Sequence, residues 1–420
     1  MGREMKDSGI EFIGEIPKYW GVIPIQRVFD EVKNPNKSNS ESNAMSFRYG
    51  SIVKKKEVGN IDEFQETYQN YNVVMPGTIM INGLNLSFDF VTQRVGLVNE
   101  KGIITSTYIA MIPKDLIASS YSYYLLKSYD NCKAFHNMGR GLRSILSYNE
   151  LKKYKIVLPP LMEQHRIVDY LEKKCAEIDI VIENTKASIK EYKEYKQSII
   201  TEAVTKGLYR NVNMKSSNVE WIGEFPEHWE TTKLKYIFSI KKDIANELGH
   251  EILSVTQSGL KIKDISNNEG QISSDYSKYQ LVDIDDFVMN HMDLLTGWVD
   301  CSKYMGVTSP DYRVFKLNKA EHHCKEFYTY LFQICYKNRI FYGLGQGVSN
   351  LGRWRLQTDK FINFMLPMVP LKEQQAIAYY LDQKCIEIDN LISQKQQIIS
   401  ELEAYKKSLI FECVTGKKEV

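Results

Sequence analysis

Two short stretches combine glycine with arginine, a pairing that suits contact with an anionic partner. They read GRGLR at residues 139–143 and GQGVSNLGRWR at residues 345–355. A guanidinium group binds phosphates and base edges through paired hydrogen bonds, and glycine lets a backbone approach a partner closely. The same pattern is common in ordinary surface turns, so the residues alone leave both interpretations open.

The motifs typical of catalysis or metal binding are absent or incomplete in this sequence. The sequence has no GxxxxGK[ST] phosphate loop and no NPPY-like methyltransferase motif, and Pro310-Asp311 is not followed by the acidic-x-Lys spacing of a nuclease. His322, His323 and Cys324 resemble metal ligands but have no matching second pair. We therefore predict a chain that binds and has no catalytic residue, metal or cofactor of its own.

Composition places the chain among globular proteins. It has 420 residues, 43% hydrophobic and 25% charged, with a net charge of +2, so any basic face must be local. No apolar run approaches the roughly 18 residues that span a bilayer, and the N-terminus lacks the apolar core of a secretory signal. Seven cysteines form no CxxC pair. These features predict a cytoplasmic protein with reduced thiols and no membrane partner.

An internal repeat organises the whole chain. IEFIGEIPKYW at residue 10 recurs as VEWIGEFPEHW at residue 219, and PLMEQHRIVDYL at 160 recurs as PLKEQQAIAYYL at 370. YKQSIITEAVTKG at 195 recurs as YKKSLIFECVTGK at 405. The segments between these motifs diverge but keep landmarks in the same order, which include the two glycine-arginine stretches. Two copies of one plan follow from this pattern.

Each copy divides into an opening motif, a variable segment and a long closing helix. The variable segments alternate short β-rich runs with glycine, proline and asparagine, and each carries one stretch of helical periodicity, which predicts mixed α/β domains. Trp20, Trp221 and Trp229 in the opening motifs are expected to be packing anchors. The predicted boundaries are 1–20, 21–158 and 159–208 for the first copy, then 209–229, 230–366 and 367–420 for the second.

The closing segments carry a heptad pattern of apolar residues. Such a pattern predicts a coiled coil, and duplicated helices with matching seams most simply pair antiparallel about a pseudo-twofold axis. Cys175, Cys385 and Cys413 fall on the seam as small core residues. The fold class predicted is α+β, with two mixed α/β domains joined by two long helices. The predicted seam comprises Leu171, Ile178, Ile182, Ile189, Ile199, Leu381, Ile388, Ile392, Ile399, Leu402 and Leu409.

This order of motifs resembles the specificity subunit of type I restriction-modification systems. The resemblance rests on GIEFIGEIPKYW, VEWIGEFPEHW, LPPLMEQHRIVDYL and VPLKEQQAIAYYL, and it covers nearly the whole chain. It implies that each variable segment is a target recognition domain for one half of a bipartite double-stranded DNA site. It also implies that the helices set the gap between the halves and dock two modification (methyltransferase) subunits.

Further partners follow only from the resemblance. S-adenosylmethionine would bind the modification subunit, while ATP and Mg would bind a restriction (motor and nuclease) subunit that joins the assembly. Two rival classes remain open: a standalone sequence-specific DNA-binding regulator, which needs no methyltransferase surface, and an independent enzyme, which would bind a cofactor itself.

Candidate DNA contacts are polar residues after predicted strands, together with the glycine-arginine stretches. Lysine and arginine position a protein on phosphates, and base edges are read by arginine, asparagine, glutamine, serine and threonine. By position, Asn82 and Asn85 pair with Asn290 and Asp293. In the first copy the candidates are Arg48, Tyr49, Lys54, Lys55, Lys56, Asn82, Asn85, Gly139, Arg140, Gly141 and Arg143. In the second copy they are Thr256, Gln257, Ser258, Lys261, Asn290, Asp293, Gly345, Gln346, Gly347, Asn350, Arg353 and Arg355.

Overall fold

A computed structural model describes residues 3–48, 50–55, 67–139, 144–209, 211–264, 275–347 and 354–420. The chain folds into two compact units. The first unit comprises Met1–Lys186 and Gln397–Val420, and the second comprises Ala187–Gln396. Each unit therefore combines one variable segment with parts of both closing helices.

The first unit contains twelve strands among the described residues, with two α-helices ahead of the first long helix. The strands are β1 (Met5–Asp7), β2 (Glu15–Pro17), β3 (Gly21–Pro24), β4 (Phe29–Glu31), β5 (Met45–Arg48), β6 (Ser51–Lys54), β7 (Asn72–Val74), β8 (Ile79–Ile81), β9 (Val95–Leu97), β10 (Gly102–Ile104), β11 (Ile109–Pro113) and β12 (Lys155–Leu158). The helices are α1 (Ser119–Asn131), α2 (Tyr148–Leu151) and the long α3 (Leu161–Lys206).

The second unit repeats this plan. Its strands are β13 (Met214–Ser216), β14 (Glu224–Pro226), β15 (Glu230–Lys233), β16 (Phe238–Lys241), β17 (Leu253–Thr256), β18 (Gly259–Ile262), β19 (Gln280–Val282), β20 (Phe287–Met289), β21 (Val299–Cys301), β22 (Gly306–Thr308), β23 (Arg313–Leu317), β24 (Gln346–Gly347), β25 (Trp354–Arg355) and β26 (Met365–Met368). Its helices are α4 (Leu234–Ile237), α5 (Lys325–Lys337), α6 (Ile340–Gly343), α7 (Thr358–Ile362) and the long α8 (Leu371–Val414).

Matching antiparallel sheets form the centre of each variable segment. The strand order is β4-β11-β8-β9 in the first unit and β16-β23-β20-β21 in the second. Strand β3 pairs with β12, and β15 pairs with β26, so each variable segment begins and ends on one two-stranded ladder. The predicted boundary at residue 158 coincides with the end of β12, whereas the one at residue 366 falls inside β26.

The two long helices lie within the predicted segments 159–208 and 367–420. Proline precedes each first residue, and glycines in the left-handed region follow each end, with φ of 74° at Gly207 and 72° at Gly416. Of the predicted seam residues, eight are buried and three are half-buried. The buried ones are Leu171, Ile178, Ile182, Ile189, Leu381, Ile388, Ile392 and Leu409, and the half-buried ones are Ile199, Ile399 and Leu402.

Within each unit the two helix segments run antiparallel and share an ion pair at the same repeat position. In the first unit Lys406 Nζ lies 2.6 Å from Asp179 Oδ2, and in the second Lys196 Nζ lies 2.7 Å from Asp389 Oδ2. Both lysines occupy seam positions, where their stems pack and their ammonium groups reach outward. A shift of register by one heptad would separate both pairs, so they favour this alignment.

Two of the opening-motif tryptophans, Trp20 and Trp229, are buried against the ends of the long helices. Trp20 Nε1 donates to Glu163 Oε2 at 3.0 Å near the start of α3, and a Cβ on Gly416 beyond α8 would lie 3.0 Å from the Trp20 ring. In the second unit Trp229 Nε1 donates to Glu373 Oε2 at 3.0 Å, and a Cβ on Gly207 would lie 3.2 Å from its ring. Each tryptophan therefore touches the beginning of one long helix and the end of the other.

The glutamine of each PLxEQ motif joins the helix start to the variable segment. Gln164 is fully buried, accepts a hydrogen bond from Ala118 N at 2.8 Å just before α1, and donates to Leu116 O at 3.0 Å. Gln374 accepts one from Cys324 N at 2.8 Å just before α5. Burial of an amide costs free energy unless its groups are hydrogen-bonded, as they are here. The repeated Glu-Gln pair therefore connects each long helix to its variable segment.

Candidate nucleic-acid interface

A short hairpin presents the first group of candidates in each unit. β5 pairs with β6 so that Arg48 faces Ser51, and β17 pairs with β18 so that Thr256 faces Gly259. Gly50 takes a left-handed φ of 77° in the first turn, and Gly259, the first residue of β18, takes a φ of 106° directly after the second turn. Arg48, Lys54, Gln257, Ser258 and Lys261 are exposed. The two hairpins therefore occupy equivalent places in the strand order of the two units.

An asparagine opens the loop after the matching sheet strands β8 and β20. Asn82 Oδ1 accepts a hydrogen bond from Leu84 N at 3.1 Å, and Asn290 Oδ1 accepts one from Met292 N at 3.3 Å. These are the same local turn, made by a side chain that competes with the backbone for donors. Both asparagines are half-buried, and their Oδ1 atoms accept hydrogen bonds that fix the shape of the loop.

An aspartate turn closes the same loop, and it corrects one predicted pairing. Asp293 Oδ1 accepts from Leu295 N and Thr296 N, both at 3.0 Å, while Asp89 Oδ1 accepts from Val91 N at 3.1 Å and Thr92 N at 2.9 Å. The counterpart of Asp293 is therefore Asp89, not Asn85. Counting residues from the asparagine gave the wrong counterpart because the first loop is longer. It has thirteen residues, 82–94, whereas the second has nine, 290–298.

The residues beside each glycine-arginine stretch hydrogen-bond to this loop. Leu146 N donates to Gly83 O at 2.8 Å, and Leu356 N donates to His291 O at 2.9 Å. In the second unit Gln346 and Gly347 pair with Arg355 and Trp354 to form β24 and β25. Gln346, Gly347 and Arg355 are exposed, so they stand at the surface next to the loop.

The hairpin also touches the loop, which brings three segments together in each unit. A Cβ on Gly50 would lie 2.7 Å from the Gln93 side chain. In the second unit Gln257 Nε2 donates to Thr296 O at 3.3 Å. Candidates that are far apart in sequence are therefore neighbours at one edge of each unit. This juxtaposition recurs although the sequences of the two variable segments differ widely.

A groove of about 610 Å³ lies at this edge in the second unit. Four candidates line it, namely Thr256, Lys261, Asn290 and Asp293. Tyr276, Tyr279 and Tyr312 also line it, and they add aromatic surface to hydrogen-bonding groups. The cationic, amide and aromatic side chains can contact phosphates and base edges, while three aspartates, Asp264, Asp293 and Asp311, add negative charge to the groove.

Several candidates lie outside the described residues or are occupied within the chain. Lys55 lies with its Nζ 5.9 Å from the centre of the Tyr68 ring. Gly139 is close to Ser144, since a Cβ would lie 2.5 Å from Ser144 Oγ, and a Cβ on Gly345 would lie 2.7 Å from Leu294 Cδ1. Outside the described residues are Tyr49, Lys56, Arg140, Gly141, Arg143, Asn350 and Arg353.

Sequence reasoning missed two buried arginines that shape the edge. Arg94, 1% exposed, donates to the carbonyl oxygens of Asn82 at 3.1 Å, Leu84 at 2.7 Å and Asp89 at 2.7 Å. Arg313 donates to Leu356 O at 3.0 Å, and burial lowers its pKa to about 10. An arginine directly before an apolar run gives no sign that it will be buried, because arginine is usually exposed.

His322 and His323, and also His291, contact other groups of the chain. No group of three or more histidine, cysteine or acidic side chains in the described part of the chain could hold a metal ion. Cys324 Sγ donates to Glu326 Oε2 at 3.3 Å, and Tyr328 Oη lies 3.4 Å from His323 Nδ1. His291 is buried within the loop, and its burial, with Arg313 and Arg355 nearby, lowers its pKa to about 3. A helix long and apolar enough to cross a bilayer is absent from the described residues.

Two known proteins are similar in sequence over most of the chain. The chain is 26% identical over 417 residues to the type I restriction enzyme MjaVIII specificity subunit of Methanocaldococcus jannaschii, covering 89% of this chain and 92% of that one. It is 23% identical over 426 residues to the putative type I restriction enzyme MjaX specificity subunit of the same organism, covering 97% and 96%.

Solved structures resemble the fold at low sequence identity. One comes from work on complex assembly and conformational transition of the type I restriction-modification system, with a TM-score of 0.71, 14% identity and coverage of 96% of this chain and 99% of that one. The HsdS subunit from Thermoanaerobacter tengcongensis gives a TM-score of 0.53, 14% identity and coverage of 96% and 98%.

The family comparison matches both copies of the repeat. The model described as "Type I restriction modification DNA specificity domain" aligns with residues 17–191 and 226–404, more than half of the chain. Its two matches each span an opening-motif tryptophan or its neighbours, a variable segment and part of a long helix. The chain therefore belongs to the type I restriction modification DNA specificity domain family.

Proposed function

We propose that this chain is the specificity subunit of a type I restriction-modification complex and that each unit contacts one half of a DNA target. One observation carries the proposal for the site. The hairpin, the loop after the sheet strand and the segment beside the glycine-arginine stretch meet at the same edge in both units. Two related domains that bind different DNA sequences are expected to share a scaffold and to differ in their side chains.

The two half-sites differ because the two edges present different groups. The first hairpin turn carries the cationic Arg48 next to Tyr49, whereas the second carries the neutral Thr256, Gln257 and Ser258. Cationic residues bind phosphates or guanine, and amide and hydroxyl groups accept or donate to several bases. The target is therefore bipartite and asymmetric, with an unspecified gap.

The long helices provide the surface for the other subunits. Two modification subunits bind the paired helices, and the helices fix the gap between the half-sites. The modification subunit binds S-adenosylmethionine, and a restriction subunit that joins the complex uses ATP and Mg. This chain supplies no catalytic group, and the complex works on DNA in the cytoplasm.

The chain divides functionally at the ladders that close each variable segment. The first recognition domain comprises residues 21–158, which begin with β3 and end with β12. The second comprises residues 230–366, which we extend to residue 368 so that β26 stays whole against β15. The opening motifs and long helices form the rest.

Sequencing of methyladenine in single DNA molecules tests the function. Cells that carry this chain with its modification subunit are compared with cells that lack the chain. An asymmetric bipartite motif that appears only with the chain is expected. If the assembled complex produces no new motif, the proposal is wrong. A standalone regulator would then be the better explanation, although the family membership does not favour it. A pull-down with the modification subunit separates these two classes directly.

A further inference from the structure

Each unit exposes an apolar side chain at the same point of the aspartate turn. The turn reads Asp-Phe-Val-Thr at residues 89–92 and Asp-Leu-Leu-Thr at residues 293–296. The third residue is Val91, 90% exposed, in the first unit and Leu295, 49% exposed, in the second. The longer first loop adds Phe88, 76% exposed. Two divergent segments thus retain an exposed apolar residue where a polar one would be more soluble.

Hydrogen bonds fix the backbone from which these side chains project. The Asp89 carboxylate accepts from the backbone of Val91, and the Asp293 carboxylate accepts from that of Leu295. Arg94 also donates to the carbonyl of Asp89 at 2.7 Å. An apolar residue on such a turn loses little conformational entropy when it binds a partner.

The neighbouring Phe90 is 55% exposed, but one face of its ring is held against the loop. Phe90 stacks on His136, with ring centres 4.8 Å apart and an interplanar angle of 23°. His136 Nε2 lies 3.1 Å from Asp89 O. Phe88 and Val91 therefore form the tip of the first loop, and Leu295 forms the tip of the second.

The surroundings of the tips favour DNA as the partner. In the first unit the loop abuts the hairpin that ends in the exposed Arg48, through Gly50 and Gln93. In the second unit the Thr296 carbonyl accepts from Gln257 of the hairpin, and exposed Lys261 lies on the same hairpin. Apolar tips flanked by phosphate-binding groups match the side chains that enter between base pairs and unstack them.

We infer that Phe88 with Val91, and Leu295, act as wedges that enter the duplex and unstack one base step in each half of the target. This inference rests on the proposed function. The unstacking cost depends on the sequence of the step, since pyrimidine–purine steps open more easily. The wedges would therefore select bases that no polar side chain contacts, and the larger first tip would distort its half-site more than Leu295 distorts the second.

Fluorescence of 2-aminopurine tests the wedges. The probe is placed in turn at each step of both half-sites, away from the methylated adenine, and bound by the complex of this chain with its modification subunit. Binding is expected to raise the fluorescence at one step in each half. Phe88→Ser with Val91→Ser should abolish the rise in one half only, Leu295→Ser should abolish it in the other, and each should weaken binding roughly tenfold.

Matched variants separate a wedge from general changes in the surface. Phe88→Leu keeps an apolar tip and should retain the signal, and the exposed residues Leu116 and Ile284 serve as Leu116→Ser and Ile284→Ser controls that leave it unchanged. A complex that methylates its target while fluorescence stays flat at every step overturns the wedge alone. A fluorescence rise that persists in the serine variants also overturns the wedge, whether or not those variants disturb assembly with the modification subunit. A complex with no methylated motif overturns both this inference and the proposed function.

Discussion

Glycine is present for different physical reasons at different positions of the two glycine-arginine stretches. Gly139 is needed because a Cβ would lie 2.6 Å from the carbonyl carbon of Ser144, and Gly345 because a Cβ would meet Leu294. Gly347 meets no described atom within 4 Å and is exposed. Its lack of a side chain therefore has no explanation among the contacts of the described residues, which fits a close approach by DNA.

Gly347→Ala tests that approach. The added methyl group meets no described protein atom, so the free energy of unfolding should stay the same while DNA affinity falls about tenfold, or about 1.4 kcal/mol. Fluorescence anisotropy with the methylated motif as DNA measures the affinity. Gly343→Ala is the control, because Gly343 also meets no described atom within 4 Å but ends helix α6. Equal affinity of the Gly347→Ala variant and the wild type would place this backbone away from DNA.

His291 makes the stability of the second unit depend on pH. Its pKa is about 3 when folded, chiefly because of burial, against about 6.5 when unfolded. The unfolded chain binds a proton below pH 6.5 that the folded chain refuses until about pH 3, so stability falls as pH decreases through this window. The loss at pH 5 is at most about 2 kcal/mol relative to neutral pH.

Urea unfolding at pH 5 and pH 7 measures this contribution. His291→Gln should reduce the difference between the two free energies of unfolding by up to about 2 kcal/mol. His322→Gln, at an exposed histidine, should leave the difference as it is in the wild type. A His291→Gln variant with the wild-type difference would show that another group causes the pH dependence.

At the scale of elements, long-range patterns were predictable and loop construction was not. The heptad seam of α3 and α8 was readable because a helix repeats its buried face over many turns. The equivalence of the β5–β6 and β17–β18 hairpins was also readable. The match of Asp89 to Asp293 was not, because it depends on an insertion and on hydrogen bonds from Arg94 that no periodicity encodes.

Ile182→Asp tests the helix pairing within the first unit. Ile182 is 5% exposed, so the variant removes apolar packing and buries a carboxylate, which should cost about 3 kcal/mol or more. Val181→Asp is the matched control on the same helix, because Val181 is 47% exposed and should change stability by about 0.5 kcal/mol or less. Urea unfolding followed by circular dichroism compares them. Similar losses for both variants would contradict the seam.

At the scale of the whole molecule, three sequence repeats keep almost the same offset, 209 residues for the opening motif and 210 for the other two, because one arrangement joins them. In each unit a tryptophan of the opening motif contacts a glutamate near the start of one long helix and packs beside the glycine after the other. These contacts constrain the opening motif, the PLxEQ motif and the helix end together. The variable segments are attached to this frame by β3 with β12 and by β15 with β26, so their other residues are free to diverge.

A frame that tolerates divergence should also tolerate exchange of its recognition domains. In a variant chain, residues 230–368 are replaced by residues 21–158, so that each junction falls at the edge of a ladder. Because both units then present the same hairpin and loop, the complex should methylate a target whose two halves carry the same bases. Sequencing of methyladenine reads the result, and a chain with the two domains exchanged is the control that keeps both half-sequences. A duplicated variant that folds and assembles but still methylates two different halves would show that base choice lies outside these segments.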